Sequence, residues 1–465
     1  MSALKTPVVD GIEMKLFPQD KDVVLYETGF EIDLLERTSI SKQLSELVEK
    51  IESPMVLALD DKWGSGKTYF LKRWVTAHTK ENNGNAITVY FDAFESDYLS
   101  DPLVAIITAV SGRIPEDQKP SIKKWKVIAA KLAKPSFGIA LAVASFGAQR
   151  HLGEIGDVII DAARDEASSA AQNLWEAEKD RSEAVASFKE LLVDFTQKSD
   201  GPIVIVVDEL DRCRPDYALL VLEVIKHFFS APRVHFILGV NGAALEDSVK
   251  ARYGTGIDAE SYLRKFISAS FSLPRMIGAQ GREDVVTRYA KDLVIQMSLP
   301  ENISKRCLAL IEHVSKNMYV SLRDVGRICS KIALVPNEVS KTNYLAGWID
   351  TLCMLIVASV IDPKLHKKLC SASASENEIR NFLGASEDKT VEYANNEINP
   401  HFDHGLTVWL AHTLFSCSPI SLDDIKSLPE WKGSVARSFD RFGAPDEPKR
   451  IASRIQKEWV EIFKL

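Results

Sequence analysis

The fold is predicted from the stretch Met55-Val-Leu-Ala-Leu-Asp-Asp-Lys-Trp-Gly-Ser-Gly-Lys-Thr68, an apolar strand-like run that leads into a glycine-rich turn and then into helical sequence. Gly64 and Gly66 let successive backbone N–H groups turn inward around phosphates, and the following helix N-terminus adds its positive dipole end. Lys67 is placed to reach the β- and γ-phosphates, and the Thr68 hydroxyl is placed to ligate Mg²⁺. The stretch therefore predicts a phosphate-binding loop.

The loop departs from the Gly-x-x-x-x-Gly-Lys-Ser/Thr pattern at one position, because Asp61 stands where the pattern has its first glycine. A carboxylate near phosphates is repulsive unless it points away, and Asp60 lies beside it. The first glycine mainly eases the turn from strand to loop, however, and Asp tolerates unusual backbone angles better than most residues. A working nucleotide site and a site with weak or absent nucleotide binding both stay open.

A buried parallel strand is predicted by a second apolar stretch, Ile203-Val-Ile-Val-Val-Asp-Glu-Leu-Asp-Arg212, which ends in acidic residues. Asp208, at the carboxyl end of the strand, is placed to hold Mg²⁺ through a water. Glu209 could orient or deprotonate the water that attacks a γ-phosphate. The alternative is that Glu209, Asp211 and Arg212 form a solvated ion-pair cluster at the strand end. For Asp211 and Arg212, this alternative and a role in the site are equally consistent with the sequence.

A third strand is predicted by Arg233-Val-His-Phe-Ile-Leu-Gly-Val-Asn241, which also ends in a polar residue. In P-loop ATPases with an extra central strand, a polar side chain at this place contacts the γ-phosphate or the attacking water. Asn241 resembles such a sensor, which is the interpretation we favour. The alternative is that Asn241 only caps the helix that follows, where Asn is a preferred residue.

Several motifs, taken with their order and spacing, resemble the KAP family of P-loop NTPases over roughly residues 30 to 335. The Trp before Gly-Ser-Gly and the Asp-Arg-Cys after the acidic pair are more specific than the phosphate loop alone. The motifs are Lys62-Trp-Gly-Ser-Gly-Lys-Thr68, Tyr90-Phe-Asp-Ala-Phe94 with Ser100-Asp-Pro-Leu103, Asp208-Glu-Leu-Asp-Arg-Cys213, and Tyr262-Leu-Arg-Lys-Phe-Ile267 with Leu273-Pro274.

The resemblance implies an additional-strand ATPase core that uses ATP and Mg²⁺, and it marks Glu209 as a variant of the second aspartate that most members carry. The predicted catalytic residues are Glu209, Lys67 and Asn241, and the predicted metal ligands are Thr68 and Asp208. The predicted nucleotide-binding residues are Trp63, Gly64, Ser65, Gly66, Lys67, Thr68, Tyr69 and Arg323.

Arg323 enters this set because Ser321-Leu-Arg-Asp-Val-Gly-Arg327 resembles the family segment that presents an arginine from a helical lid to the nucleotide. Arg327 is the second choice, and an ordinary basic helix face is the alternative. Three arginines could act on the nucleotide of a neighbouring copy in an oligomer, and the sequence does not choose among them. They are Arg212, Arg264 and Arg275.

Alternation of strands and helices predicts an α/β fold: a P-loop NTPase with a parallel central sheet, a helical insertion between the two nucleotide motifs, and a C-terminal helical domain. Strands are also predicted over Ala86–Asp92 and Ile267–Leu273, and a core helix is predicted over Leu352–Ile361. The predicted domains are an N-terminal lead at residues 1–30, the NTPase core at 31–101 and 200–274, the helical insertion at 102–199, and the C-terminal helical domain at 275–465.

Family members often carry membrane-spanning helices between the two nucleotide motifs, and the apolar segment Pro135–Ala148 is the candidate here. It is too short, because a bilayer crossing needs about 20 apolar residues. We expect a buried helical hairpin first, then a remnant of such an insertion, and last a segment that meets a membrane or partner. Membrane association is therefore not expected.

Composition agrees with a large intracellular protein: 465 residues, of which 46% are hydrophobic, and a net charge of -8. Because Met1–Asp33 is mixed and charged, no secretory signal is evident, and we expect a cytoplasmic location.

The negative net charge does not indicate nucleic acid as a partner, although the basic segments Lys119–Lys134 and Lys364–Lys368 leave local binding of nucleic acid open. The His401-Phe-Asp-His404 sequence lacks further ligands and is interpreted as a loop or cap rather than a metal site.

These observations predict an ATP-hydrolysing switch that moves its helical insertion and C-terminal domain between states. A protein partner of one of those regions and an oligomer are expected. Family context points to control of assembly, and because many bacterial relatives lie in mobile or anti-phage loci, a role in antiviral defence is also expected. Two alternatives are a non-hydrolysing nucleotide-binding scaffold, suggested by Asp61, and a membrane-peripheral organiser, suggested by Pro135–Ala148.

Overall fold

The structure is a computed structural model. It describes residues 8–9, 12–18, 23–99, 101–113, 170–228, 231–278, 281–341, 344–385, 406–419, 432–440 and 450–461. The predictions for residues 119–134, 135–148 and 401–404 lie outside the described residues.

The strands in chain order are β1 (Val8–Val9), β2 (Ile12–Glu13), β3 (Met55–Asp60), β4 (Ile87–Asp92), β5 (Ile203–Asp208), β6 (Val234–Val240), β7 (Ala269–Phe271), β8 (Met276–Ile277) and β9 (Glu283–Asp284). The helices are α1 (Thr38–Lys50), α2 (Lys67–Lys80), α3 (Pro102–Ser111), α4 (Ala170–Lys198), α5 (Pro215–His227), α6 (Gly242–Tyr253), α7 (Ala259–Leu263), α8 (Val285–Gln296), α9 (Glu301–Ser315), α10 (Leu322–Ala333), α11 (Asn337–Lys341), α12 (Ala346–Ile361), α13 (Pro363–Cys370), α14 (Glu376–Leu383), α15 (Leu406–Cys417), α16 (Lys432–Arg437) and α17 (Ile451–Ile455). A 3-10 turn lies at Leu210–Arg212, and a π-turn at Gln456–Val460 follows α17.

The chain divides into two compact units. One unit is Asp22–Pro274, and the other combines Met1–Lys21 with Arg275–Leu465. We call them the nucleotide unit and the helical unit. The domain boundaries proposed from sequence remain a prediction.

The nucleotide unit is built on a five-stranded sheet in the order β4-β5-β6-β3-β7, and all of its strand pairs are parallel. Every residue of β5 and β6 is buried. Their apolar, β-branched sequences suit a central strand covered on both faces, as predicted. The α/β fold of a P-loop NTPase with a parallel central sheet is therefore confirmed.

The strand register brings polar residues to one edge of the sheet. Asp92 pairs with Asp208, Asp208 pairs with Gly239, and Asp60 pairs with Val240. Because the carboxyl ends of parallel strands all lie on the same side of the sheet, the loops that follow β3, β4, β5 and β6 meet there. The crevice outside the carboxyl ends of such strands is where open α/β sheets bind ligands.

Helices cover both faces of this sheet. On one face, α2 contributes the fully buried side chains of Phe70 and Trp74 to a core with Leu57. On the other face, Tyr217 of α5 and Phe188 of α4 belong to the larger core. Burial of large apolar side chains on both faces provides most of the driving force for folding and holds the strand ends in place.

The helical unit packs around α12, whose residues Ile349 to Ala358 are all buried. The prediction of a core helix in this region is confirmed. Within the described ranges, no helix combines the length and apolar character that a membrane crossing requires.

Two local features differ from the sequence-based expectation. The strand predicted over Ile267–Leu273 is only Ala269–Phe271, because it lies at the sheet edge and pairs with β3 alone. A short antiparallel hairpin of β8 and β9 follows it where no strand was expected. Two-residue strands give no hydrophobic periodicity, so the sequence could not predict them.

Candidate functional site

The phosphate loop between β3 and α2 has the backbone that its glycines predict. Gly64 and Gly66 have φ angles of 80° and 96°, which L-residues with a side chain rarely adopt. Gly66 is the N-cap of α2, and no side chain caps that helix. The backbone N–H groups at the start of α2 can therefore bind an anion.

Asp61 fits the start of this loop without needing the backbone freedom of glycine. It is not among the residues with positive φ. Its N–H donates to Val240 O at 3.1 Å, and its carboxylate accepts from Lys62 N at 2.8 Å. The conformational objection to Asp at this position is thus removed, and only its charge opposes phosphate binding.

Lys67 lies folded against its own loop. Its ammonium donates to Asp61 O at 2.6 Å and to Lys62 O at 3.2 Å. Burial lowers the pKa of Lys67, and the negative charges around it, that of Asp211 first, act in the opposite direction. Both bonds are to backbone carbonyls, so Lys67 can exchange them for phosphate oxygens without breaking an ion pair.

Ser65, between the two glycines, offers a second group for a phosphate. Its hydroxyl oxygen is buried and makes no hydrogen bond within the described part of the chain. Buried polar atoms normally have partners. An unpartnered hydroxyl inside the loop is what a phosphate oxygen would satisfy.

Asp208, at the end of β5, is a deeply buried carboxylate of the site and is 1% exposed. It accepts hydrogen bonds from the Tyr90 hydroxyl at 2.8 Å and from Glu209 N at 2.9 Å. Burial raises the pKa of Asp208, while hydrogen bonds from Tyr90, Thr68 and Glu209 N lower it.

Glu209 follows in a left-handed backbone conformation, with φ of 57° and ψ of 26°. Its carboxylate accepts from the Arg212 guanidinium at 2.9 Å across the 3-10 turn. Burial raises the pKa of Glu209, and the charge of Arg212 lowers it. The ion-pair interpretation is thus correct for Arg212.

Asp211 has a different partner. Its carboxylate accepts from the Trp63 indole N–H at 2.5 Å, so this bond joins the phosphate loop to the acidic turn. Asp211 is buried, whereas Trp63 is 49% exposed. The solvated-cluster interpretation is wrong for Asp211.

Asn241 lies at the N-cap of α6, yet its side chain makes no capping hydrogen bond. The Asp60 carboxylate instead accepts from Gly242 N at 2.7 Å. The cap interpretation of Asn241 is therefore wrong, and its role as a sensor stays a prediction.

The remaining predicted residues are Tyr69 in the nucleotide unit and Arg323 in the helical unit. Tyr69 is partly exposed at the start of α2, and the Arg73 guanidinium lies 4.6 Å from the centre of its ring. Arg323 and Arg327 are exposed on α10 of the helical unit, a helix that begins with a capping box between Ser321 and Asp324. Contact between Arg323 and a nucleotide remains a prediction.

Three hydrogen bonds of the site were not predicted from the sequence. They run from the Tyr90 hydroxyl to Asp208, from the Trp63 indole to Asp211, and from Gly242 N at the start of α6 to Asp60. Tyr90 had a usable signal, because it precedes Asp92 by two residues on a predicted strand that ends, like the strand of Asp208, in a carboxylate. The bonds of Asp60 and Asp211 depend on loop geometry, which residue spacing does not reveal.

The sheet, the phosphate loop after β3 and the acidic turn after β5 define a P-loop NTPase domain. The chain belongs to the KAP family, because the model of the KAP family P-loop domain matches residues 37–339, well over half of the chain. No curated protein matches the sequence significantly.

Two solved structures of the ORC2 protein of Aeropyrum pernix are similar in part. The form with ADPNP and ADP is 13% identical, covers 78% of this chain and 76% of that chain, and has a TM-score of 0.35. The ADP form is 11% identical, covers 86% of this chain and 90% of that chain, and has a TM-score of 0.31.

Proposed function

We propose that the protein binds ATP and hydrolyses it in a Mg²⁺-dependent reaction. The observation that carries this proposal is the arrangement of the two loops, in which the Trp63 indole donates to Asp211 at 2.5 Å and Thr68 lies close enough to the buried Asp208 carboxylate to lower its pKa. It brings together the two oxygen donors that P-loop NTPases use to hold Mg²⁺.

The donor set fits a magnesium ion. A hydroxyl and a carboxylate are hard oxygen ligands, and Mg²⁺ is commonly held by one or two protein groups together with phosphates and waters. Within the described residues, no group of three His, Cys, Asp or Glu side chains is arranged to hold a metal by itself. Bound Mg²⁺ would neutralise charge on the phosphates during transfer.

The residues of the chain divide the remaining work. Backbone N–H groups of the loop and of α2 hold the phosphates, and Lys67 leaves the carbonyls of Asp61 and Lys62 to bind the β- and γ-phosphates. Glu209 orients the attacking water and accepts its proton. Asn241 contacts the γ-phosphate or the attacking water. Because Asn241 directly precedes α6, loss of the γ-phosphate is transmitted to that helix.

The test compares purified wild type with Lys67→Ala and Glu209→Gln, measuring ATP affinity and turnover with Mg²⁺. We expect Lys67→Ala to lose ATP binding, and Glu209→Gln to bind ATP while turnover falls by about 100-fold or more. Tight ATP binding by Lys67→Ala would contradict the assignment of the site.

We further propose that hydrolysis switches the helical insertion (102–199) and the C-terminal helical domain (275–465) between states that control assembly or activation of a protein partner. An oligomer, a cytoplasmic location and a role in bacterial anti-phage defence complete this proposal, which rests on the family resemblance. The test is phage plating on cells that express the wild type or Glu209→Gln with its neighbouring genes. Equal plating on both strains would count against a defence role of the ATPase.

The same binding experiment separates the alternatives. Binding by the wild type without turnover, unchanged by added protein partners or DNA, would favour a nucleotide-binding scaffold. No binding at all would mean that the charge of Asp61 disables the loop. A membrane-peripheral organiser would pellet with liposomes, and the segment 135–148 that suggests it lies outside the described residues.

A further inference from the structure

The end of β3 and the start of α6 are joined by a contact that the sequence pattern of a phosphate loop does not require. Asp60 is the last residue of β3, and its Oδ1 accepts a hydrogen bond from Gly242 N at 2.7 Å. A Cβ on Gly242 would lie 2.6 Å from Asp60 Oδ2, so a side chain there would displace this carboxylate. The carboxylate thus covers the first turn of α6.

This contact replaces the cap that α6 would otherwise take from its own sequence. Asn241 has the extended backbone of an N-cap residue, with φ of -102° and ψ of 106°, and Asn is among the best N-cap residues. Its side chain nevertheless makes no capping bond. A helix N-terminus needs an acceptor and favours a negative charge, and Asp60 supplies both.

We propose that Asp60 is a positioning residue that caps α6 in place of Asn241 and thereby leaves the Asn241 amide free for the γ-phosphate or the attacking water. The inference deepens the proposed function and rests on it. When Asp60 cannot accept, rotation of the Asn241 side chain is enough to cap α6, and the amide is withdrawn from the site.

Two variants of Asp60 separate its capping role from its charge. Asp60→Asn removes the charge near Lys67 but keeps an oxygen that accepts from Gly242 N, whereas Asp60→Ala removes both. We expect Asp60→Ala to lower kcat to the level of Asn241→Ala, about 100-fold below wild type, with little change in ATP affinity. Asp60→Asn should restore most of this loss, and Asp60→Ala with Asn241→Ala should be no worse than either alone.

Gly242→Ala provides an independent test, because its Cβ would displace the Asp60 carboxylate while both functional side chains remain. It should reproduce the kcat of Asp60→Ala. Unchanged kcat in Asp60→Ala would overturn the proposal. Equal losses in Asp60→Ala and Asp60→Asn would also overturn it, since charge and not capping would then be responsible.

Thermal unfolding tests whether Asn241 can replace Asp60 as the cap of α6, and this measurement does not depend on ATP hydrolysis. If Asn241 takes over the cap, Asp60→Ala and Asn241→Ala alone each lower the midpoint only slightly, while the double variant lowers it by about 3 °C. Additive shifts would mean that Asn241 does not replace Asp60, and would overturn the inference. Absence of ATP binding by the wild type would instead refute the proposed function, while the unfolding cycle would still show whether the two residues share one cap.

Discussion

The Tyr90 hydroxyl on β4 donates a hydrogen bond of 2.8 Å to Asp208 Oδ2 on the adjacent strand β5. Asp208 is almost fully buried, so its orientation depends on the few groups that contact it. Residues that orient a metal ligand in this way affect metal affinity although they do not touch the metal.

We therefore predict that Tyr90→Phe raises the Mg²⁺ concentration needed for half-maximal turnover by about 10-fold. The ring that packs in the sheet is kept, and only the hydroxyl is lost. The measurement is a Mg²⁺ titration of ATP turnover at saturating nucleotide. Tyr253→Phe, which removes a hydroxyl that contacts Tyr262, is the matched control and should titrate like wild type. A normal Mg²⁺ requirement in Tyr90→Phe would mean that Asp208 is not a metal ligand.

The bond from the Trp63 indole to Asp211 connects the phosphate loop to the turn that carries Glu209. We predict that Trp63→Phe and Asp211→Ala each weaken ATP binding about 5-fold, because a hydrogen bond to a charged group contributes roughly 1.5–3 kcal/mol and half of Trp63 is exposed. The measurement is a double-mutant cycle on ATP affinity. Additive effects of the two changes would show that the bond does not couple the two loops.

The sheet was predictable because its strands carry strong signals. Ile203–Asp208 and Val234–Val240 are apolar runs of strand length, and burial on both faces is what such runs require. The phosphate loop was predictable because two of its glycines meet a backbone that other residues rarely adopt. The short length of the edge strand β7 and the presence of the β8–β9 hairpin were not, since a few residues paired on one side leave no periodic pattern.

The candidate site was predictable where one residue type has one chemical use, as for Lys67 and Asp208. It was not predictable where two residues compete for one place. Asn241 is the better N-cap by sequence position, yet the bond to Gly242 N is made by Asp60, 182 residues before that glycine. Long-range contacts of this kind follow from strand order, which the sequence alone does not specify.

Buried histidines in the nucleotide unit predict acid sensitivity. Burial lowers the pKa of His78 and of His235, which are both fully buried. Below a pH of about 6.5 the unfolded chain therefore binds protons that the folded chain does not, and the free energy of unfolding falls as the pH falls. Asp208 and Glu209, whose pKa values are raised, contribute in the opposite direction.

Comparison of His235→Leu with wild type isolates the histidine, because the carboxylates are the same in both proteins. We predict that the variant loses less stability than wild type between pH 7.5 and pH 5.5, measured as the free energy of unfolding in urea. The exposed His227, replaced by Gln, is the control and should follow wild type. Parallel pH profiles of His235→Leu and wild type would show that His235 does not resist protonation in the folded state.

The helical unit contains a buried charged cluster within its apolar core. Asp350 on α12 is 1% exposed, and it accepts from Arg306 of α9 at 2.5 Å and from His412 Nδ1 of α15 at 2.6 Å. One carboxylate thus holds three helices together. Removing one partner of a buried pair leaves the other charge uncompensated, which costs about 3–5 kcal/mol for fully buried pairs.

We predict that Asp350→Ala lowers the free energy of unfolding by about 3 kcal/mol, at the lower end of that range because the Arg306 side chain is 22% exposed and can be partly hydrated. Urea denaturation followed by circular dichroism measures the effect. Glu312→Ala removes an exposed partner of Lys316 in the same unit and should change stability by no more than about 0.5 kcal/mol. Similar small losses in both variants would mean that the Asp350 cluster is hydrated and does not hold the helices together.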